Sequence, residues 1–123
     1  MRIVIVEDDV AWLEVVTVML EHAGHSVVSF TDYRGALDLV EGPDAIDLLL
    51  TDIQLPIETP HGISLARMAR LRRRSLPILF MTGELELAEL VDDDLGLTLI
   101  KPFDRDQLLH GVQRSVGRGE LDR

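Results

Sequence analysis

The chain has 123 residues, 46% hydrophobic and 28% charged, enough for one domain that buries roughly two-thirds of its unfolded surface. A formal net charge of −10 argues against a nucleic-acid-binding surface, and the absence of cysteine excludes disulfides and thiolate metal sites. No run approaches about 18 consecutive apolar residues, and a strand-like run starts directly after Met1-Arg2. Neither a membrane span nor a signal peptide is therefore expected, and a cytoplasmic protein is the default.

Ile3-Val4-Ile5-Val6 is a β-branched run of the kind that forms a buried strand, and it ends in Glu7-Asp8-Asp9. Asp9 is placed as the N-cap of a helix over Val10 to Ala23, with Leu13, Val16, Leu20 and Ala23 inward and Gly24 as its stop. Val27 to Phe30 reads as a second strand. Thr31 or Asp32 caps a helix through about Val40 that buries Ala36, Leu37 and Val40, and Gly42-Pro43 breaks it.

Asp47-Leu48-Leu49-Leu50-Thr51-Asp52 is the pattern of a central strand covered on both faces. A loop with Pro56, Pro60 and Gly62 leads to a helix over Ile63 to Arg74, with Leu65, Met68, Ala69 and Leu71 as its expected buried stripe. Pro77 opens a fourth strand, Ile78 to Met81, which ends at Thr82-Gly83. Glu84 to Val91 is a short helix before the acidic run Asp92-Asp93-Asp94. Leu97 to Ile100 is a fifth strand with Lys101-Pro102-Phe103 as its exit. Asp104 caps a last helix carrying Leu108, Leu109, Val112 and Val116, and a polar tail follows over 118–123.

Five strands alternating with five helices predict a doubly wound α/β domain over 1–117. Its five-stranded parallel sheet takes the flavodoxin-like order 2-1-3-4-5, with helices on both faces. That order brings Glu7, Asp8, Asp52, Thr82 and Lys101 to one rim. Two unit charges about 4 Å apart repel by roughly 4 kcal/mol at an effective dielectric near 20, so clustered carboxylates of this kind usually hold a hard divalent cation. Oxygen ligands without His or Cys suit Mg²⁺, while Thr82 and Lys101 supply donors for phosphoryl oxygens. Asp52 is then the plausible nucleophile, forming an acyl phosphate.

With those residues in that order, the sequence resembles a response-regulator receiver domain of two-component signalling, of the stand-alone, single-domain type. The resemblance runs from Arg2 to about Val116 and rests on Val6-Glu7-Asp8, on Asp52 with Leu55-Pro56, on Thr82 and on Lys101-Pro102-Phe103. It implies Asp52 as phosphoacceptor, with Thr82 and Lys101 on the phosphoryl oxygens and a cis Lys101–Pro102 peptide. Mg²⁺ is implied on Asp8, Asp52 and the Gln54 carbonyl, with Glu7 acting through water. The implied donor is a phosphohistidine on a sensor histidine kinase or histidine phosphotransfer protein. Such a chain is not an enzyme in the usual sense but assists its own phosphorylation and dephosphorylation. Output is by partner docking or onward phosphotransfer, with no nucleic acid or membrane partner.

Other residues have plainer readings. Arg70, Arg72, Arg73 and Arg74 read as a solvated helix end, with a partner surface as the alternative. Trp12 reads either as a packing residue or as part of the face that kinases contact in this family. The four histidines show no ligand spacing.

Three departures from the family pattern stand out. Gly62 falls ten residues after Asp52, which makes Ile57-Glu58-Thr59-Pro60-His61 an enlarged lid. Thr98 stands where most receivers carry a switch aromatic. The interval from Thr82 to Lys101 is short for a full helix, so the fourth helix should be short or loosely held. A pseudo-receiver that binds partners without phosphorylation is the alternative, and the intact acidic, Thr and Lys set argues against it. A phosphatase with an Asp nucleophile would want an acid two residues on, where this chain has Gln54.

Overall fold

The computed structural model describes residues 1–54 and 61–121, so the expected lid, apart from the backbone of His61, and the Leu55-Pro56 pair lie outside the described residues. The elements are β1 (Arg2–Val6), α1 (Val10–His22), β2 (Ser26–Phe30), α2 (Tyr33–Glu41), β3 (Leu48–Asp52), α3 (His61–Arg72), β4 (Ile78–Thr82), α4 (Leu85–Ala88), β5 (Leu97–Ile100) and α5 (Arg105–Leu121). The five strands form one parallel sheet in the order β2-β1-β3-β4-β5, as the alternation of elements predicts.

Side chains alternate across a strand, so each apolar run divides between two cores. Ile3, Ile5, Leu48, Leu50, Leu79 and Met81 pack with Leu13, Val16 and Leu20 of α1 and Leu108 and Val112 of α5. Val4, Val6, Leu49, Ile78 and Phe80 face Ala36 and Val40 of α2 and Leu65, Ala66 and Ala69 of α3. The central strands β3 and β4 are buried along their whole length, whereas β2 and β5 at the sheet edges are only partly covered.

The helix ends follow local chemistry. Asp9 caps α1 by accepting from the Trp12 N–H at 3.2 Å, and Asp32 caps α2 by accepting from Arg34 and Gly35 at 3.0 and 3.3 Å. Gly24 takes a φ of 94° after α1, a backbone that other residues rarely adopt. Asp104 and Gln107 form a reciprocal box at the start of α5: the Asp104 carboxylate accepts from the Gln107 N–H at 2.8 Å. The Gln107 side chain in turn accepts from the Asp104 N–H at 2.9 Å.

Three expectations need correction. Leu71 is 83% exposed and Met68 half-buried, because Ile63, Leu65, Ala66 and Ala69 define the inward face of α3 and Leu71 lies off it. Two of the four arginines are not a solvated helix end. Arg70 donates to the carbonyls of Leu76 and Leu95 at 2.7 and 2.8 Å, and Arg73 to those of Val40 and Gly42, both at 2.8 Å. The fourth helix is short, as expected: only Leu85–Ala88 is helical, and none of it is buried. Leu85 and Leu90 point to solvent, and Leu87 and Val91 alone touch the core. Finally, α5 continues through Gly117 and Gly119 to Leu121, since each glycine costs a helix only about 1 kcal/mol.

Candidate metal and phosphoacceptor site

The strand register assembles the site. Val6 pairs with Thr51, Asp52 with Met81 and Thr82 with Ile100, so the residues that leave β1, β3, β4 and β5 emerge side by side at the carboxyl edge. Backbone bonds continue the pairing outward: the N–H of Ile53 donates to the Met81 carbonyl at 2.9 Å, and that of Lys101 to the Thr82 carbonyl at 2.8 Å. The Lys101–Pro102 peptide is cis.

Glu7, Asp8 and Asp52 each present a carboxylate oxygen, and these oxygens lie within 4.8 Å of one another. Glu7 is fully buried and Asp52 nearly so, while Asp8 is exposed. The Lys101 ammonium reaches into the cluster, donating to Glu7 Oε1 and, at 3.0 Å, to Asp52 Oδ2. The other Asp52 oxygen accepts from the Gln54 backbone N–H at 3.1 Å, and Glu7 Oε2 accepts from the Asp9 N–H at 3.3 Å. Both buried carboxylates thus keep hydrogen-bond partners, as burial of charge requires.

The electrostatics follow from this packing. Burial, followed by a shared hydrogen bond with Asp52, pushes the Glu7 carboxyl up to about 8 against the opposing pull of Lys101. Burial draws the Lys101 ammonium down, but the hydrogen bonds and charges of Glu7 and Asp52 outweigh it and leave that group raised. Lys101 therefore stays charged and bridges the Glu7 carboxyl and the Asp52 carboxylate.

Thr82 is buried at the same edge, and its hydroxyl accepts from the Glu84 N–H at 3.1 Å. The same hydroxyl donates over 3.4 Å to the Glu84 carbonyl, a long bond that an acceptor entering the site would have to displace. Beside β5, a cavity of about 340 Å³ runs along Thr98, Phe103, Gln107 and His110, so the half-buried Thr98 does not close this edge of the sheet.

Glu7, Asp8, Asp52 and Lys101 are thus drawn together, with the Gln54 backbone against Asp52 and Thr82 on the neighbouring strand end. Asp9 turns away as a helix cap. Two contacts, made by residues the sequence already singled out, become visible only in the fold. Gly62 donates its N–H to the Ile53 carbonyl at 3.0 Å, and a Cβ there would lie 2.7 Å from Ile53 Cα and collide with the Asp52 carbonyl. The signal was a glycine at a helix start, whose close neighbour no local pattern reveals. Trp12 and Phe103 meet edge to face with centroids 4.9 Å apart, joining the loops that carry Asp8 and Lys101.

Among the described residues no helix is long and apolar enough to cross a membrane. The chain is 33% identical over 118 residues to the response regulator receiver protein CpdR of Brucella abortus, covering 94% of this chain and 96% of that protein. It is 28% identical over 123 residues to the cell cycle transcriptional regulator CtrA of Caulobacter vibrioides, covering 98% of this chain. It spans only 52% of CtrA and about half the length of several other regulators that it matches. A crystal structure of the receiver domain of sensor histidine kinase PA1611 from Pseudomonas aeruginosa, with magnesium coordinated in its active-site cleft, is 30% identical. Its TM-score is 0.82, and the match covers 94% of this chain and 97% of that one. The family model for the response regulator receiver domain matches residues 3–113, and with the parallel 2-1-3-4-5 sheet this places the chain in the response regulator receiver domain family.

Proposed function

We propose that this chain is a phosphoacceptor of a two-component phosphorelay, taking a phosphoryl group onto Asp52 from a phosphohistidine on a sensor kinase or phosphotransfer protein. One observation carries the reading: Lys101 Nζ lies 3.0 Å from Asp52 Oδ2 and also pairs with Glu7, with Asp8 at the same cluster. A charged donor is thus already aimed at the atom where phosphoryl charge would arrive.

The donor set fits magnesium. Carboxylate oxygens without His or Cys are the ligands a hard cation takes. Asp8, Asp52 and the Gln54 backbone carbonyl would hold the ion directly, and Glu7 through water. Bound there, it would neutralise charge on the phosphoryl oxygens. The magnesium in the PA1611 receiver domain belongs to that protein, but it supports the same assignment here.

In the transfer, an Asp52 carboxylate oxygen attacks phosphorus and forms an acyl P–O bond while the P–N bond to the donor imidazole breaks. The electron pair leaves on the imidazole nitrogen, which takes a proton from solvent. Lys101 donates to one transferring oxygen and the Thr82 hydroxyl to another. No residue must remove a proton from the nucleophile, since Asp52 attacks as a carboxylate. Output then runs through docking on a partner protein or onward phosphotransfer.

Incubation with a small acyl-phosphate donor and Mg²⁺, followed by peptide mass spectrometry, tests the assignment. Modification should map to Asp52, require Mg²⁺ and vanish in the nearly isosteric Asp52→Asn. Labelling of that variant at the wild-type level would sink it.

A further inference from the structure

The strand β5 lies at the edge of the sheet, and its outer side is left open. Leu97–Ile100 carries no charge and no proline, the groups that usually guard such an edge. All four residues line the cavity of about 340 Å³ between β5 and α5. Its floor is apolar: the half-buried Leu97 and Leu99 meet Phe103 there, and Ile100 at the lip is 38% exposed. A recess of this size and lining is of the kind that holds small molecules.

The register of α5 on β5 gives the cavity two unlike ends. A Cβ at Gly111 would lie 3.2 Å from the Leu99 side chain, so Gly111 sits opposite the middle of the strand. Arg114 then lies about one turn on, toward Leu97, and Gln107 one turn back, toward Ile100 and Phe103. The uncharged end is thus at Phe103 and the cationic end at Arg114. Among the described residues no acid lines the cavity, and none forms an ion pair with Arg114. Arg118, one turn further along α5, is by contrast engaged with the Asp93 carbonyl.

We propose that this cavity binds an amphipathic carboxylate of the fatty-acid class, its chain along β5 over Leu99 and Phe103 and its carboxylate on the Arg114 guanidinium. The lining spans four strand residues, about 10 Å at the rise of a β-strand, which suits an extended chain better than a compact group. A guanidinium answers a carboxylate with two parallel hydrogen bonds, and with no acid on the walls an anionic end is preferred to a cationic one. The chain would take the apolar side chains of an uncovered edge out of water. A second copy of this protein fits less well. Pairing two β5 edges would set two 84–94 segments side by side, each with six carboxylates and no base.

Octanoate, whose chain is of about that length, is the probe, titrated below its micelle concentration at constant pH and ionic strength and followed by amide NMR. Shifts should saturate and centre on Thr98, Leu99 and Gly111. Acetate has the charge without the chain and should give no saturable shift there. The alcohol 1-octanol has the chain without the charge and should bind about tenfold more weakly or worse. Arg114→Ala should weaken octanoate about tenfold, as expected for lost charge-assisted hydrogen bonds, and leave octanol unchanged. Arg114 is exposed, so that variant should keep its fold. Thr98→Phe puts a ring into the cavity and should abolish binding of both.

Equal affinities for octanoate and 1-octanol, equal shifts with acetate, or unchanged binding in both variants would overturn the proposal. So would sedimentation showing a dimer whose interface protects the same amides, because a second copy would then cover the cavity. These readouts do not depend on phosphorylation of Asp52, so they stand or fall apart from that reading.

Discussion

Trp12 and Phe103 pack edge to face, with ring centroids 4.9 Å apart and planes at 76°. Trp12 lies in the first turn of α1, just after Asp8 and Asp9 of the β1–α1 connection, and Phe103 follows Lys101 on the β5–α5 connection. The ring pair therefore braces the two loops whose charges meet at Asp52. It makes Trp12 a partly buried packing residue of the α1–α5 core.

The indole should report on the acidic cluster. Mg²⁺ is expected to change Trp12 fluorescence in a saturable way, and Asp8→Ala should weaken that binding far more than Asp9→Ala. The Asp9 carboxylate is engaged with the Trp12 N–H, so its loss should instead lower global stability by about 1 kcal/mol, the usual worth of an N-cap. Equal losses of Mg²⁺ affinity in the two variants would place the metal on the wrong acid.

A pH dependence follows from Glu7. Its carboxyl sits near 8 in the folded protein, above the ordinary 4.5, chiefly through burial. A raised folded pKa stabilises the native state most below the unfolded value, and the benefit is lost as pH climbs through the folded one. Metal-free protein should therefore lose stability between about pH 5 and 8 relative to Glu7→Gln, which cannot titrate. Urea denaturation of both proteins in chelator measures the difference. A gap that does not change over that range would contradict the assignment.

Gly62 gives a steric test. The Asp52 carbonyl and Ile53 Cα occupy the space that a Cβ at position 62 would need. Backbone atoms cannot swing aside as a flexible side chain can, so Gly62→Ala should displace the end of β3 or the start of α3. We expect a loss of about 1–3 kcal/mol, the usual range for overpacking, together with weaker Mg²⁺ binding and slower phosphorylation. Gly83→Ala is the control, because nothing lies within 4 Å of a Cβ built there.

The fold was legible because strong local patterns agreed with one another. Leu48–Asp52 and Ile78–Thr82 are apolar runs of equal length, and in a parallel sheet equal runs bring their polar exits to one edge. That is why Asp52 and Thr82 could be placed together from sequence. What stayed hidden depends on contacts between segments far apart in the chain. Arg73 looks like one more surface cation until α2 brings the carbonyls of Val40 and Gly42 within 2.8 Å. Leu71 keeps helical spacing with Leu65 and Met68, but no wall stands opposite it, and so it is exposed.

Arg73 carries a prediction of its own. Its two bonds use the guanidinium fork on carbonyls at the end of α2, groups left without partners inside that helix. Arg73→Lys keeps the charge but not the fork. It should cost about 1.5–3 kcal/mol, the range for a hydrogen bond to a charged group, whereas Arg72→Lys on the exposed face should stay within about 0.5 kcal/mol. Similar denaturation midpoints for the two variants would return Arg73 to the solvated surface.

The route by which a signal leaves Asp52 is the most consequential test. Thr98 is only half-buried and leaves a cavity of about 340 Å³ along β5, so no bulky side chain there moves with the site. The link that does exist runs through Thr82, whose hydroxyl accepts from the Glu84 N–H at 3.1 Å just before α4 begins. A hydroxyl can accept that bond and donate to a phosphoryl oxygen at once, so movement of Thr82 toward Asp52 would draw Glu84 with it. Beyond Glu84 lies an element poised to respond. Only four residues are helical, none is buried, and Leu85 and Leu90 are 65% and 55% exposed. So short a helix has little stability of its own, and Leu87 and Val91 are its only apolar anchors. We expect amides from Leu85 to Val91 to exchange close to the unprotected rate in the resting protein. Beryllofluoride with Mg²⁺, which stands in for the phosphoryl group on Asp52, should slow that exchange about tenfold or more, a population shift of roughly 1.4 kcal/mol. Thr82→Ser should keep the response and Thr82→Ala should lose it. Protection that is already high and unmoved by beryllofluoride would rule out this segment as the switch.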